Sequence, residues 1–184
     1  EQYLQDKIRQ AFMERLQLTK DDLDLVVFDM EQDYLNLVVA EADTLPLFSS
    51  EDKRLIIVEN PFFLTAEKKT AAPEHDFADF LTYLQHPADT AVIVFVAPYE
   101  KLDERKKITK AIKKAATVIE AQPLSEKDAT VYLKRSLEKS GLVMDRKTLD
   151  LFIQLTDLDL AKGMRELEKL VLYAGADKII TPAA

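Results

Sequence analysis

Few residues in this 184-residue chain could do chemistry: there is no cysteine, only two histidines are present, and the remaining candidates are carboxylates and cations. Asp29, Glu31 and Asp33 alternate like the first ligands of a calcium loop, where carboxylate oxygens converge on a hard cation. The rest of such a loop does not follow. Tyr34 stands where the sharp turn needs glycine, and Ala40 stands where a bidentate glutamate belongs. His75 and His86 lack the spacing, to each other or to acids, that zinc or hydrolytic sites use, so both are expected at the surface. No nucleophile, base and orienting group can be assembled from sequence neighbours, and no metal is assigned.

Two apolar runs, Leu25–Phe28 and Leu55–Val58, end in the acids Asp29 and Glu59, the position from which nucleotide triphosphatases hold Mg²⁺. That chemistry also needs a glycine-rich loop whose N–H groups cradle phosphate. Gly141, Gly163 and Gly175 all lie in the last quarter of the chain, and Tyr3-Leu4-Gln5-Asp6 occupies the place where such a loop would open the first helix. Cations are concentrated between Lys101 and Lys114, where Arg105, Lys106, Lys107, Lys110, Lys113 and Lys114 face only Asp103 and Glu104. Such a face could meet phosphates or an acidic protein. No aromatic residue interleaves with the charges, and Leu102, Ile108, Ala111, Ile112 and Ala115 form an apolar stripe opposite them, so we read it as the solvated side of an amphipathic helix.

The most unusual candidates are apolar. Leu45, Leu47 and Phe48, with Pro46 among them, bring three large side chains into Thr44 to Ser50, which otherwise reads as a loop. A helix-like segment, Asp33 to Asp43, precedes it and a strand-like run, Arg54 to Glu59, follows. Pro46 fixes its own φ and biases Leu45 away from the helical region, so the helix must stop here with the apolar group at its tip. Exposed, these residues form a docking knob; buried, they plug the end of the core.

The elements that position these groups follow from periodicity. Leu4, Ile8, Ala11, Phe12 and Leu16 predict a helix over Tyr3 to Leu16. Strands are predicted at Leu25 to Asp29, Arg54 to Glu59, Ala91 to Val96 and Thr117 to Glu120, with helices at Asp33 to Asp43, Phe77 to Leu84 and Asp103 to Ala116. Asn60 to Asp76 reads as a loop with a short helical piece. Strands alternating with helices imply an α/β domain with a mostly parallel sheet in three layers. After Gln122-Pro123 the pattern is helix alone, which puts a boundary between residues 1–122 and a small three-helix domain at 123–184. Ser125, with Asp128 three residues on, caps the first of these helices, and Gly141 suits the left-handed position after its end. The other two are expected over Arg146 to Leu155 and Leu160 to Ala174.

Composition agrees with a folded domain: 47% of residues are hydrophobic and 32% charged. The longest apolar run, Ala91 to Pro98, is far short of the ~20 residues a membrane helix needs. The absence of cysteine excludes disulfides and points to a reducing, cytoplasmic setting. A net charge of -8 argues against wrapping nucleic acid over the whole surface.

The order of elements, with four stretches, is similar to the delta subunit family of bacterial DNA polymerase III, whose members open the sliding clamp within the clamp loader. The stretches are Thr44 to Phe48 running into Lys53 to Val58; Val92 to Val96; Lys101 to Lys107; and Met164 to Leu170 with Tyr173-Ala174. The resemblance implies an AAA+-like α/β domain at 1–122 and a helical lid at 123–184. It also implies an N-terminal piece lacking a first strand and a collar domain. It further implies a non-catalytic role in DNA replication, with no working ATP site and no cofactor. The partners it implies are the sliding clamp (the beta subunit), other clamp-loader subunits, and DNA reached through the assembled complex. By position Leu45, Pro46, Leu47 and Phe48 map to an apolar tip that inserts into a pocket on the clamp and favours its opening. Full burial of each large side chain would contribute about 1.5–3 kcal/mol before association costs. Leu45 is expected to be partly packed, with Leu47 and Phe48 more exposed. Two alternatives stand beside this: an AAA+-type NTPase, and a DNA-binding module using Lys106, Lys110 and Lys113 of the basic helix.

Overall fold

The computed structural model describes residues 2–47, 52–120, 125–157, 159–174 and 179–180, with side chains from residue 5 onward except that of residue 126. The chain forms two compact units, Leu4–Glu120 and Ala121–Ala184, the latter counted with Glu1–Tyr3.

In the larger unit, helix α1 (Gln2–Arg15) is followed by β1 (Leu25–Asp29), α2 (Leu35–Ala42), β2 (Arg54–Glu59), α3 (Ala78–Tyr83), β3 (Ala91–Val96) and α4 (Lys107–Ala115). The strands form a parallel sheet in the order β1-β2-β3, with Leu25 opposite Leu55 and Leu55 opposite Val92. Successive side chains of a strand point to opposite faces, so central β2, apolar from Leu55 to Val58, must be covered on both. Leu55 and Ile57 pack with Leu16, Leu18 and Val96, against which Phe12 and Met13 of α1 lie. Ile56 and Val58 pack with Leu35, Val38 and Ala42 of α2, Phe80 and Tyr83 of α3, and Ile108 and Ile112 of α4. The result is the expected three-layer α/β unit.

Three expectations are corrected. Thr117 to Glu120 is not a strand: these residues are exposed, Val118 and Ile119 among them, because the sheet ends at β3 among the described residues and offers them no ladder. Helix α4 begins at Lys107 rather than Asp103, because the Asp103 carboxylate accepts the Arg105 N–H at 3.1 Å, a local turn that competes with helical bonding. The third concerns the loop after β2. It contains a 3-10 turn at Phe62–Leu64 whose three side chains are all buried. His75 is buried with it, at 8% exposure, among the rings of Phe62, Phe63 and Phe77. Neighbouring aromatics, absent from a local reading of charge and spacing, draw it in; His86 is exposed as expected.

His75 Nε2 lies 3.1 Å from the Met30 carbonyl oxygen, and Nδ1 is buried with no hydrogen-bond partner among the described residues. The ring is therefore the neutral Nε2–H tautomer, and a second proton would sit on a nitrogen with no acceptor. Burial depresses its pKa below the ordinary 6.5, the Met30 carbonyl offsetting only part of that effect. The unfolded chain then binds the proton first, so His75's contribution is complete above about pH 6.5 and is lost as pH falls toward the lower folded pKa. Urea midpoints should decline from pH 7.5 to 5, and H75F should flatten that part of the slope.

The smaller unit contains α5 (Glu126–Ser140), β4 (Val143–Met144), α6 (Arg146–Leu155), α7 (Leu160–Ala174) and β5 (Ile179–Ile180). The Ser125 hydroxyl caps α5 by accepting the Asp128 N–H at 3.2 Å, and Gly141 ends that helix at φ 73°. The unit is not helix alone, since β4 and β5 form a two-residue parallel pair. Gly163 lets α7 approach α5: a Cβ there would lie 2.8 Å from Cδ2 of the fully buried Leu133. G163V is expected to destabilise this unit by about 1–3 kcal/mol in urea titration.

Candidate functional site

Helix α2 stops as Pro46 requires. Its last turn closes with the Asp43 N–H on the Val39 carbonyl and the Thr44 hydroxyl on the Ala40 carbonyl, both 3.0 Å. The chain then leaves the core with Leu45 and Leu47 each 69% exposed and Pro46 half-buried. Leu45 is thus displayed as fully as Leu47, against the expectation that it packs: the buried positions of α2 are Leu35, Val38 and Ala42, and the chain turns out of the core after them. Phe48 lies outside the described residues.

The turn is anchored from behind. The Leu47 N–H donates to both oxygens of Asp24, at 3.0 and 3.2 Å, and that carboxylate is fully buried. Arg54, 5% exposed, places Nη2 3.2 Å from Asp24 Oδ1 and 3.4 Å from the Leu45 carbonyl oxygen, while Nη1 pairs with Glu41. The start of β1, the end of α2 and the start of β2 therefore converge beneath the two leucines. Asp24 and Arg54 belong to no recognisable sequence motif, although a signal exists: each immediately precedes or heads an apolar strand, and the register that sets Leu25 opposite Leu55 sets them side by side.

The acids at the other ends of the strands are engaged within the fold. Asp29 accepts from Asn60 Nδ2 at 3.0 Å, from the Glu31 N–H at 3.0 Å and from Gln32 Nε2 at 3.1 Å. Burial pushes its carboxyl up, but these three donors outweigh it and hold the pKa below the ordinary value. Asp33 accepts the Asp29 N–H at 2.8 Å, and Glu59 pairs with Arg9 at 2.9 Å. Nearby Tyr99 is pushed up to about 12 by burial and then by the charges of Glu31, Glu67 and Asp29. No group of three or more side chains suited to a metal ion occurs among the described residues.

The basic helix places its three candidates differently. Lys106 Nζ donates to the Phe63 carbonyl at 3.0 Å, which ties it to the 3-10 turn. Lys113 pairs with Glu104, and Lys110 is exposed. The three do not form a continuous free cationic face.

Residues 1–122 match the family of the DNA polymerase III delta subunit. The chain is 39% identical over 175 residues to DNA polymerase III subunit delta of Bacillus subtilis, an alignment covering 95% of this chain and 49% of the relative. The solved Bacillus subtilis DNA clamp loader delta protein (YqeN) superposes with a TM-score of 0.75 at 37% identity, over 98% of this chain and 53% of that one. The chain thus spans about half the length of these relatives. No helix among the described residues is long and apolar enough to cross a membrane. With a family match to 122 of its 184 residues and a shared fold, this chain belongs to the DNA polymerase III delta subunit family.

Proposed function

We propose that this chain binds the sliding clamp through the turn after α2, inserting Leu45, Leu47 and Phe48, with Pro46 shaping the turn, and so favours opening of the clamp for loading onto DNA. It acts in the cytoplasm as a non-catalytic component of the clamp loader, with no cofactor of its own. Residues 1–122 form the AAA+-like domain that carries the tip, and residues 123–184 serve as a helical lid. Other loader subunits join through the full-length protein, and DNA is met through the assembled complex. The supporting observation is the 69% exposure of both leucines on an anchored turn. Docking two such side chains would contribute about 3–6 kcal/mol before association costs, so neighbouring contacts must supply the remainder.

The test is capture of purified cognate clamp by the immobilised chain, with ATP turnover assayed in parallel. Clamp retained by the chain and lost on L47A/F48A, without ATP hydrolysis, is the expected result. Failure to retain clamp, or equal retention by the variant, overturns the assignment, as does measurable hydrolysis for the non-catalytic role.

A further inference from the structure

We infer that Asp24 and Arg54 are positioning residues for partner binding: they hold the backbone on both sides of Pro46 so that the turn is presented in its docked shape before the clamp arrives. The inference rests on the clamp-binding role proposed above and names residues that never touch the clamp. Leu47 gives its N–H to Asp24 and Leu45 turns its carbonyl toward Arg54, so the peptide groups flanking Pro46 are both fastened to one ion pair. Pro46 removes the freedom between them by fixing its own φ. The leucine side chains are left with little protein contact, so the backbone is what gives the tip a definite shape.

Stability alone is a weak reason for such a pair. Removing two charges from water costs about as much as their attraction returns, and apolar residues of similar volume often do as well. Here Arg54 Nε is buried with no partner among the described residues, a further cost that a purely stabilising arrangement would avoid. What an apolar replacement could not supply is a charge-assisted acceptor for Leu47 N–H and a cationic donor for the Leu45 carbonyl. A preordered tip loses less conformational freedom on docking, and the gain falls mainly on the association rate.

The experiment compares the full chain with D24A/R54M, which removes both charges without introducing bulk, and with I112A, a core control distant in sequence from the turn. Each is measured for thermal midpoint, for hydrogen exchange at the Leu47 amide, and for clamp association and dissociation rates by surface plasmon resonance. In D24A/R54M, Leu47 exchange should accelerate at least tenfold while amides of β2 such as Ile57 stay protected. Clamp affinity should fall about tenfold, chiefly through slower association. I112A should lose stability without either change.

Unchanged Leu47 exchange in D24A/R54M overturns the tether whatever the clamp does. Faster exchange with unchanged affinity overturns its role in binding, and so does an I112A variant that loses affinity equally. If D24A/R54M fails to fold, D24A alone, which removes the acceptor of Leu47 N–H and leaves Arg54 paired with Glu41, provides the same readouts. A wild-type chain that does not bind clamp sinks both the binding role and the positioning claim, whereas a wild type that binds and a double variant that binds equally sinks only the positioning claim.

Discussion

Replacing Leu45 and Leu47 together with alanine is expected to weaken binding of the cognate sliding clamp by two orders of magnitude or more, with the thermal midpoint within a degree or two of wild type. Each substitution removes about three carbon atoms from an apolar contact at about 0.8 kcal/mol apiece, so the pair costs on the order of 4–5 kcal/mol of docking energy. The same atoms contribute little to the fold, since both side chains are 69% exposed. Equilibrium binding by surface plasmon resonance and a melting curve check the two halves. A loss of several degrees with binding retained would show the leucines to be core residues after all.

Arg54→Ala is expected to have the largest effect on stability of any single polar substitution in the larger unit. It leaves Asp24, with no exposed surface, without its cationic partner and also removes the partner of Glu41. Breaking a buried pair from one side costs on the order of 3–5 kcal/mol, which for a domain of this size is a fall in thermal midpoint of roughly 10 °C or more. Arg54→Met combined with Asp24→Ala should recover part of that loss, since the fully buried Asp24 charge is then gone and only the quarter-exposed Glu41 loses its partner. Differential scanning calorimetry on the single and double variants measures both values, and a single variant as stable as wild type would contradict the burial and pairing described here.

Much of the framework was legible because it rests on short-range regularities. The apolar runs at Leu25, Leu55 and Ala91 announced the strands, and Pro46 announced the end of α2. Ser125 and Gly141 marked the limits of α5 through local hydrogen bonding and backbone conformation. What was not legible depends on contacts distant in sequence. Val118 and Ile119 have strand-forming side chains, yet only a neighbouring strand can make such a segment a strand. His75 looked like a loop histidine until the rings of Phe62, Phe63 and Phe77 closed around it. At the candidate site, composition picked out the apolar tip but not what holds it: Asp24 and Arg54 are thirty residues apart, and only the parallel register brings them together.

The most direct measurement of the central claim is a methyl-labelled titration of the chain with its cognate clamp. Resonances of Leu45 and Leu47 should shift or broaden at stoichiometric clamp, while those of Ile108 and Ile112 on α4 remain where they were. Perturbation centred on α4, or none at Leu45 and Leu47 with clamp bound, would contradict the assignment of the turn after α2 as the clamp-binding site.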